Sequence, residues 1–270
     1  MNTQDYFVPA RLLNYMKIDI FTKSRLWLIG AAVFGGMSLL ISGFTALGGN
    51  TGNFHFYYYG VFLFLGGLYT TSRAYSEMHL GEASYSYISL PASTLEKTIG
   101  KVLIYGLGYA LFVTVFYTGV SIFSEFLNGI FFSRTHPVFK PFGYNFWLML
   151  SIFIVFQTIF LMGSAWFKSF SFIKTLLFLI LLSFLTFIVV IVAFKLIFWS
   201  FFDGWNLNRG LDSLLINLQK GGTIQKMVDA KRNIESFDEV FKYIWKVFMW
   251  GLLPLGGIAS VYFKLKETEV

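Results

Sequence analysis

Long uncharged apolar runs alternate with short polar stretches along this chain, and the runs have membrane length. They cover residues 26–47, 56–71, 102–123, 146–167, 175–199 and 244–263. A spanning helix needs about 20 mostly apolar residues, because it covers about 30 Å of hydrocarbon at about 1.5 Å per residue. The pattern therefore predicts an all-α polytopic membrane protein with six transmembrane helices in a single domain, residues 1–270. Ahead of the first run, residues 9–23 place Leu12, Leu13, Met16 and Ile20 on one helical stripe, with Arg11, Asn14, Lys17 and Lys23 largely off it. That is the signature of an amphipathic interfacial helix lying in the membrane plane. Asp5 and Asp19 precede the first run, which is longer than the core of a signal peptide, so the first span is expected to be retained.

The polar stretches are patterned too. Residues 72–101 hold Arg73, Glu77, His79, Glu82, Glu96, Lys97 and Lys101, and Ser93 with Glu96 has capping-box spacing behind Pro91. This predicts an ordered segment that starts the third span. The largest loop, 200–242, carries nearly balanced charges and a second capping box, Ser236 with Glu239. In the first span, Ala31 with Gly35 and Ala32 with Gly36 form small-xxx-small pairs, read first as packing within the bundle. Gln157 is the strongly polar residue in mid-span, and it is expected to bond to a neighbouring helix. Pro254, Gly256 and Gly257 are expected to bend or loosen the last span.

Composition sharpens this picture. The chain is 56% hydrophobic, 21% aromatic and 13% charged, against about 25% charged in soluble domains. The net charge of +7 is spread beside span ends, which suits lipid headgroups and gives no basic patch for nucleic acid. With the N-terminus inside, Arg11, Lys17, Lys23, Arg25, Arg73, Lys97, Lys101, Lys168, Lys174, Lys264 and Lys266 are cytoplasmic, and the short outer loops hold only Arg134 and Lys140. The positive-inside rule then puts both termini in the cytoplasm, and 200–242 outside.

Candidate chemistry is sparse. No phosphate loop is present, since Gly100-Lys101 lacks the upstream glycine. There is no cysteine, and no nucleophile motif. His55, His79 and His136 are widely separated with no second ligand at helical spacing, so no metal site and no cofactor is expected, and His136 beside Pro137 reads as a loop residue. The spans lack the acids and bases of an ion-coupled carrier. The chain is not expected to be an enzyme.

One stretch is more specific. Ser76-Glu77-Met78-His79-Leu80, followed by Ser89-Leu90-Pro91-Ala92-Ser93-Thr94-Leu95-Glu96-Lys97, resembles a pattern in type-2 ABC exporter permeases. The span layout is similar to that family over nearly the whole chain. The resemblance implies a permease that dimerises with a second copy or a homologous permease and docks a separate ABC ATP-binding subunit, where ATP is hydrolysed. It implies a coupling segment within 72–101 that meets the ATPase through Arg73, Ser76, Glu77, Met78, His79 and Leu80, with Glu77 foremost. A second contact would come from Ser169 and Phe170, and Pro91, Ser93, Glu96 and Lys97 would form the structural coupling motif. The expected setting is a multi-pass protein of a cell membrane, the bacterial cytoplasmic membrane foremost, in contact with its lipids. The alternative reading is a non-transporting scaffold or accessory subunit of an envelope complex.

Overall fold

The computed structural model describes residues 7–49, 52–79, 87, 89–197 and 242–269, and within them the chain is helical with no strand. The elements are α1 (Pro9–Leu47), α2 (Phe54–Val61), a π turn (Phe62–Gly66), α3 (Gly67–Ser72), a 3₁₀ turn (Ser76–His79), α4 (Thr94–Val102), a second π turn (Leu103–Gly108), α5 (Tyr109–Phe132), α6 (Tyr144–Trp166), α7 (Ser171–Ile197), a third π turn (Phe248–Leu252) and α8 (Leu253–Glu269). Among the described residues, five helical stretches are long and apolar enough to cross a membrane: Pro9–Leu47, Thr94–Phe132, Tyr144–Trp166, Ser171–Val192 and Lys242–Thr268. The chain is thus a multi-pass membrane protein by length and composition, with five such helices where the sequence pattern predicts six. The remaining run, 54–72, is helical but interrupted by its π turn, and is tyrosine-rich at its start.

The amphipathic N-terminal segment is corrected. It is not a separate helix, because nothing between Lys23 and Leu26 breaks the chain: α1 is one helix of 39 residues. Leu13 and Ile20, expected on the apolar stripe, are 57% and 42% exposed, whereas Leu12, Tyr15 and Asp19 are buried. The buried face continues through Ala31, Gly35, Ser38, Ser42 and Ala46. These positions recur every three to four residues, so they form a single helical stripe, and it is built from small and polar side chains. Large apolar residues such as Leu28, Leu40 and Phe44 point outward. This inverts a soluble helix and suits a lipid exterior.

The chain divides into two compact units, residues 1–175 with 253–270, and residues 176–252. In the first unit the core has two clusters. One gathers Tyr59, Phe62, Leu63, Val113, Tyr117, Phe139, Phe146 and Phe153. The other gathers Ala74, Tyr75, Met78, Tyr105, Leu161, Val261 and Leu265. Gln157, 3% exposed, donates its amide to Thr71 Oγ1 and to the Tyr105 carbonyl, joining α6 to α3 and to the second π turn. α8 lies on α6, with Gly257 close to the Thr158 carbonyl and Ser260 accepting a 3.0 Å bond from Trp166 Nε1. The expected irregularity near Pro254 is the π turn just before it.

In the second unit, residues 176–192 leave almost all their side chains exposed, Leu, Phe, Ile and Val among them. A helix apolar on every side is a lipid-facing helix. The large loop 200–242, its capping box at Ser236 and Glu239, and Leu80 lie outside the described residues, apart from Lys242 at the loop's end.

The glycine pairs of α1 separate cleanly. A Cβ on Gly35 would sit 3.1 Å from Phe116, so the Ala31–Gly35 pair packs against α5, while Gly36 has nothing within 4 Å. Gly67 is the tightest approach in α3: a Cβ there would meet Phe153 at 2.5 Å and Tyr109 at 2.9 Å. Gly67→Ala is expected to destabilise by about 1–3 kcal/mol through overpacking. Gly36→Ala should hold or gain up to about 1 kcal/mol from helix propensity. Thermal unfolding in detergent checks both, and equal midpoints would contradict this account.

Candidate functional sites at the two ends of the bundle

Polar side chains gather at two levels of the first unit. The first lies around the N-terminal half of α1, where α4 and the 3₁₀ turn meet it. Lys101 Nζ donates to Asp19 Oδ1 at 2.6 Å, with the two side chains 0% and 6% exposed. Lys23 approaches the same Asp19 oxygen at 3.2 Å, Glu77 at 3.4 Å and the Ala74 carbonyl at 3.2 Å. Two lysines thus share two carboxylates. Lys101 is also held over the rings of Tyr15, Tyr75 and Tyr105, 5.6–5.8 Å from their centroids. Aromatic faces partly replace the water that a buried ammonium loses.

Glu96 joins α4 to the start of α1. The capping box forms as the spacing predicts: Ser93 Oγ accepts from Glu96 N, and Glu96 Oε2 accepts from Ser93 N at 2.8 Å. The other carboxylate oxygen accepts from Val8 N at 2.6 Å and from Arg11 at 3.0 Å. Glu96 precedes the apolar part of its helix. Its carboxylate is 0% exposed, and the Val8 and Ser93 amides and the Arg11 guanidinium supply the partners that burial would otherwise deny it. Lys97 is 1% exposed and lies 5.0 Å from the Tyr87 ring centroid. Pro91 is exposed in the preceding turn.

The residues of the expected partner contact fall into two groups. Met78 is 8% exposed and belongs to the core, Glu77 is paired with Lys23, and the His79 ring reaches the Ser164 carbonyl at 3.1 Å. Arg73, Ser169 and Phe170 are exposed and Ser76 is half-buried. The elements that flank the two turns touch: His79 bonds to Ser164 in α6, and Tyr69 and Phe172 meet edge to face at 6.3 Å. Phe170 is 76% exposed and has φ 51°, a left-handed conformation that a bulky side chain rarely takes.

The second level lies where α1 ends, α2 begins and α5 ends. Arg134 Nη1 donates to the Ala46 and Leu47 carbonyls at 3.5 and 3.4 Å, serving the open end of α1. Beside it Glu125, 5% exposed, is enclosed by polar groups. His55 Nε2 is 2.7 Å from Oε1 and His136 Nδ1 is 3.2 Å from it, while His136 N donates to Oε2 at 2.5 Å. Ser42 and Asn128 each donate to Oε1 at 3.1 Å. The outward ring nitrogens also have partners: His55 Nδ1 has Tyr117 OH at 3.1 Å, and His136 Nε2 has Thr45 Oγ1 at 3.2 Å.

The fold brings two of the histidines together. His136 lies in a loop, as its place beside Pro137 suggests, but it is 4% exposed, and 81 positions of chain separation from His55 are closed by the fold. The hairpin between α1 and α2 brings His55 over Glu125, and the turn after α5 folds His136 back onto it. Spacing along the chain carried no such signal, because each of the three residues comes from a different element. One ligand atom from each of His55, Glu125 and His136 lies within 4.8 Å of the others.

Comparison with protein-family models, with curated proteins and with solved structures finds no match.

The lower network gives a direct test. Asp19→Asn leaves Lys101 buried without its carboxylate and is expected to cost about 3–5 kcal/mol. The double substitution Asp19→Leu with Lys101→Met removes both charges and should unfold within about 1 kcal/mol of the wild type, as apolar replacement of a buried pair is often near neutral. Lys23 keeps Glu77 in either variant. Thermal midpoints of the variants in one detergent decide it; a double variant as unstable as the single would refute the pairing account.

Proposed function

We propose that this chain is the membrane subunit of an ATP-driven transporter of the type-2 ABC exporter class. In this reading ATP is hydrolysed on a separate ATP-binding subunit, and the translocation path forms with a second copy or a homologous permease. The observation that supports it best is the placing of the two expected partner contacts. The turns at 73–79 and 167–170 are about ninety residues apart in sequence, yet His79 bonds to Ser164 just before the second turn, and Arg73, Ser169 and Phe170 are exposed. The capping box at Ser93 and Glu96 supports the same reading, since it anchors α4 behind the first of these turns.

The finer topology belongs to this proposal. Residues 54–72 cross the membrane as a sixth span. They start beside Glu125, near the C-terminal end of α1, and the chain beyond them reaches Lys23 at Ala74 and Glu77. They therefore cover the same height as α1 between Lys23 and Ser42. Both termini face the cytoplasm, as the basic short loops require, in the bacterial cytoplasmic membrane. The part of α1 before the apolar run then stands on the cytoplasmic side, carrying Arg11, Lys17 and Lys23.

The contact is tested with Phe170→Gly and Arg73→Glu, scored by copurification of an ATPase in mild detergent with mass-spectrometric identification. Phe170→Gly relieves the left-handed backbone, so its thermal midpoint should hold or rise by the equivalent of about 1 kcal/mol. Copurification should fall in both variants. A wild-type preparation that brings down envelope proteins and no ATPase would favour the scaffold reading instead. Robust ATP hydrolysis by this chain alone would overturn the proposal, because it has no phosphate loop.

A further inference from the structure

Two imidazoles converge on one carboxylate oxygen of Glu125. His136 Nδ1 is 3.2 Å from Oε1, and its other nitrogen, Nε2, lies 3.2 Å from the Thr45 hydroxyl, which is also 2.9 Å from the Ser42 carbonyl. Oε1 is also approached by His55 Nε2, Ser42 and Asn128, so four groups converge on one oxygen. A carboxylate has about four lone-pair sites over both its oxygens.

From this arrangement we propose that His55 Nε2, Glu125 Oε1 and His136 Nδ1 bind one divalent first-row transition ion, with zinc the best fit. Two imidazoles and a carboxylate form a borderline nitrogen–oxygen set suited to zinc, and three protein ligands leave a fourth position in a tetrahedron. The 2.7 and 3.2 Å separations from Oε1 are close to the about 3.3 Å between ligands around tetrahedral zinc, so small adjustments admit the ion. The outward nitrogens are already prepared. His136 Nε2 can donate to Thr45 while Thr45 donates to the Ser42 carbonyl, and His55 Nδ1 can donate to Tyr117 while Tyr117 donates to Ser38 at 3.2 Å. Metal-ligating histidines are oriented by such outer partners. A cavity of about 340 Å³, bounded by Thr45, Phe54, Tyr57, Tyr58 and His136, gives an approach to the site. The ion would pin the turn after α5 to the ends of α1 and α2, whatever the chain transports.

The test uses the full-length protein in detergent with any affinity tag removed, stripped with EDTA and titrated with Zn²⁺. Wild type is expected to bind one Zn²⁺ per chain by calorimetry and elemental analysis, to melt higher with it, and to give the visible absorption of tetrahedral Co²⁺. Mg²⁺ and Ca²⁺, which need six or more oxygen ligands, should not compete. The double variant His55→Gln with His136→Gln should lose the stoichiometric ion. Thr45→Val keeps all three ligands and should weaken Zn²⁺ by about tenfold or more through the lost orientation of His136. Wild-type protein with no EDTA-reversible equivalent of Zn²⁺ and no Co²⁺ spectrum overturns the proposal, whether or not the double variant folds. So does stoichiometric binding that survives the double substitution in folded protein.

Discussion

A helix in hydrocarbon has nothing outside the protein to bond with, so each of its polar groups must find a partner inside. That constraint explains the inverted stripe of α1, where Asp19, Ser38 and Ser42 point inward and Leu28, Leu40 and Phe44 point out. It also explains why Gln157 reaches both Thr71 and the Tyr105 carbonyl. Helix packing here is not driven by hiding apolar surface, since lipid tails are as apolar as leucine. It comes instead from close approach, as at Gly35 and Gly67, and from polar groups with few other places to go.

The two polar levels meet this constraint differently. Around Asp19 the solution is mutual neutralisation: two lysines, two carboxylates and tyrosine faces in place of water. Such a network offers little net stability compared with an apolar core, but breaking one member is expensive, and this fixes the register of α1 against α4. Around Glu125 a single carboxylate collects donors from α1, α2, α5 and the following turn. There the partners come from the backbone and from neutral side chains as much as from charge. The lower level locks helices to one another; the upper level ties loops to helix ends.

What the sequence made legible follows from the range of each signal. The apolar runs at 26–47, 102–123 and 146–167 all lie in long helices, because hydropathy is a local property of the chain. The Ser93–Glu96 capping box was equally legible, its two members being three residues apart. The boundary expected near Lys23 was not real, since a change from polar to apolar composition does not break a helix when no Gly or Pro stands there. The pairing of Asp19 with Lys101 and the gathering of His55, Glu125 and His136 were invisible, as they depend on which helices become neighbours. A faint trace did exist: acids and histidines are scarce next to spans, and Glu125 lies just past one. The side chains of Glu77 and His79 are engaged within the chain, by Lys23 and by the Ser164 carbonyl, which their sequence neighbours gave no sign of.

The length of α1 has a mechanical consequence. Its 39 residues make a rod of about 58 Å, nearly twice the hydrocarbon thickness. Near one end it holds Asp19 against Lys101, and near the other it holds Ser42 and Thr45 against Glu125 and His136. No described residue of α1 departs from helix between these points, so it has no hinge of its own. A tilt of about 5° pivoting at Asp19 would carry Thr45, about 39 Å further along the rod, through about 3.4 Å. α1 is thus one unbroken rod between the two polar levels, and the same helix supplies side chains to the lysine–carboxylate network and to the histidine cluster.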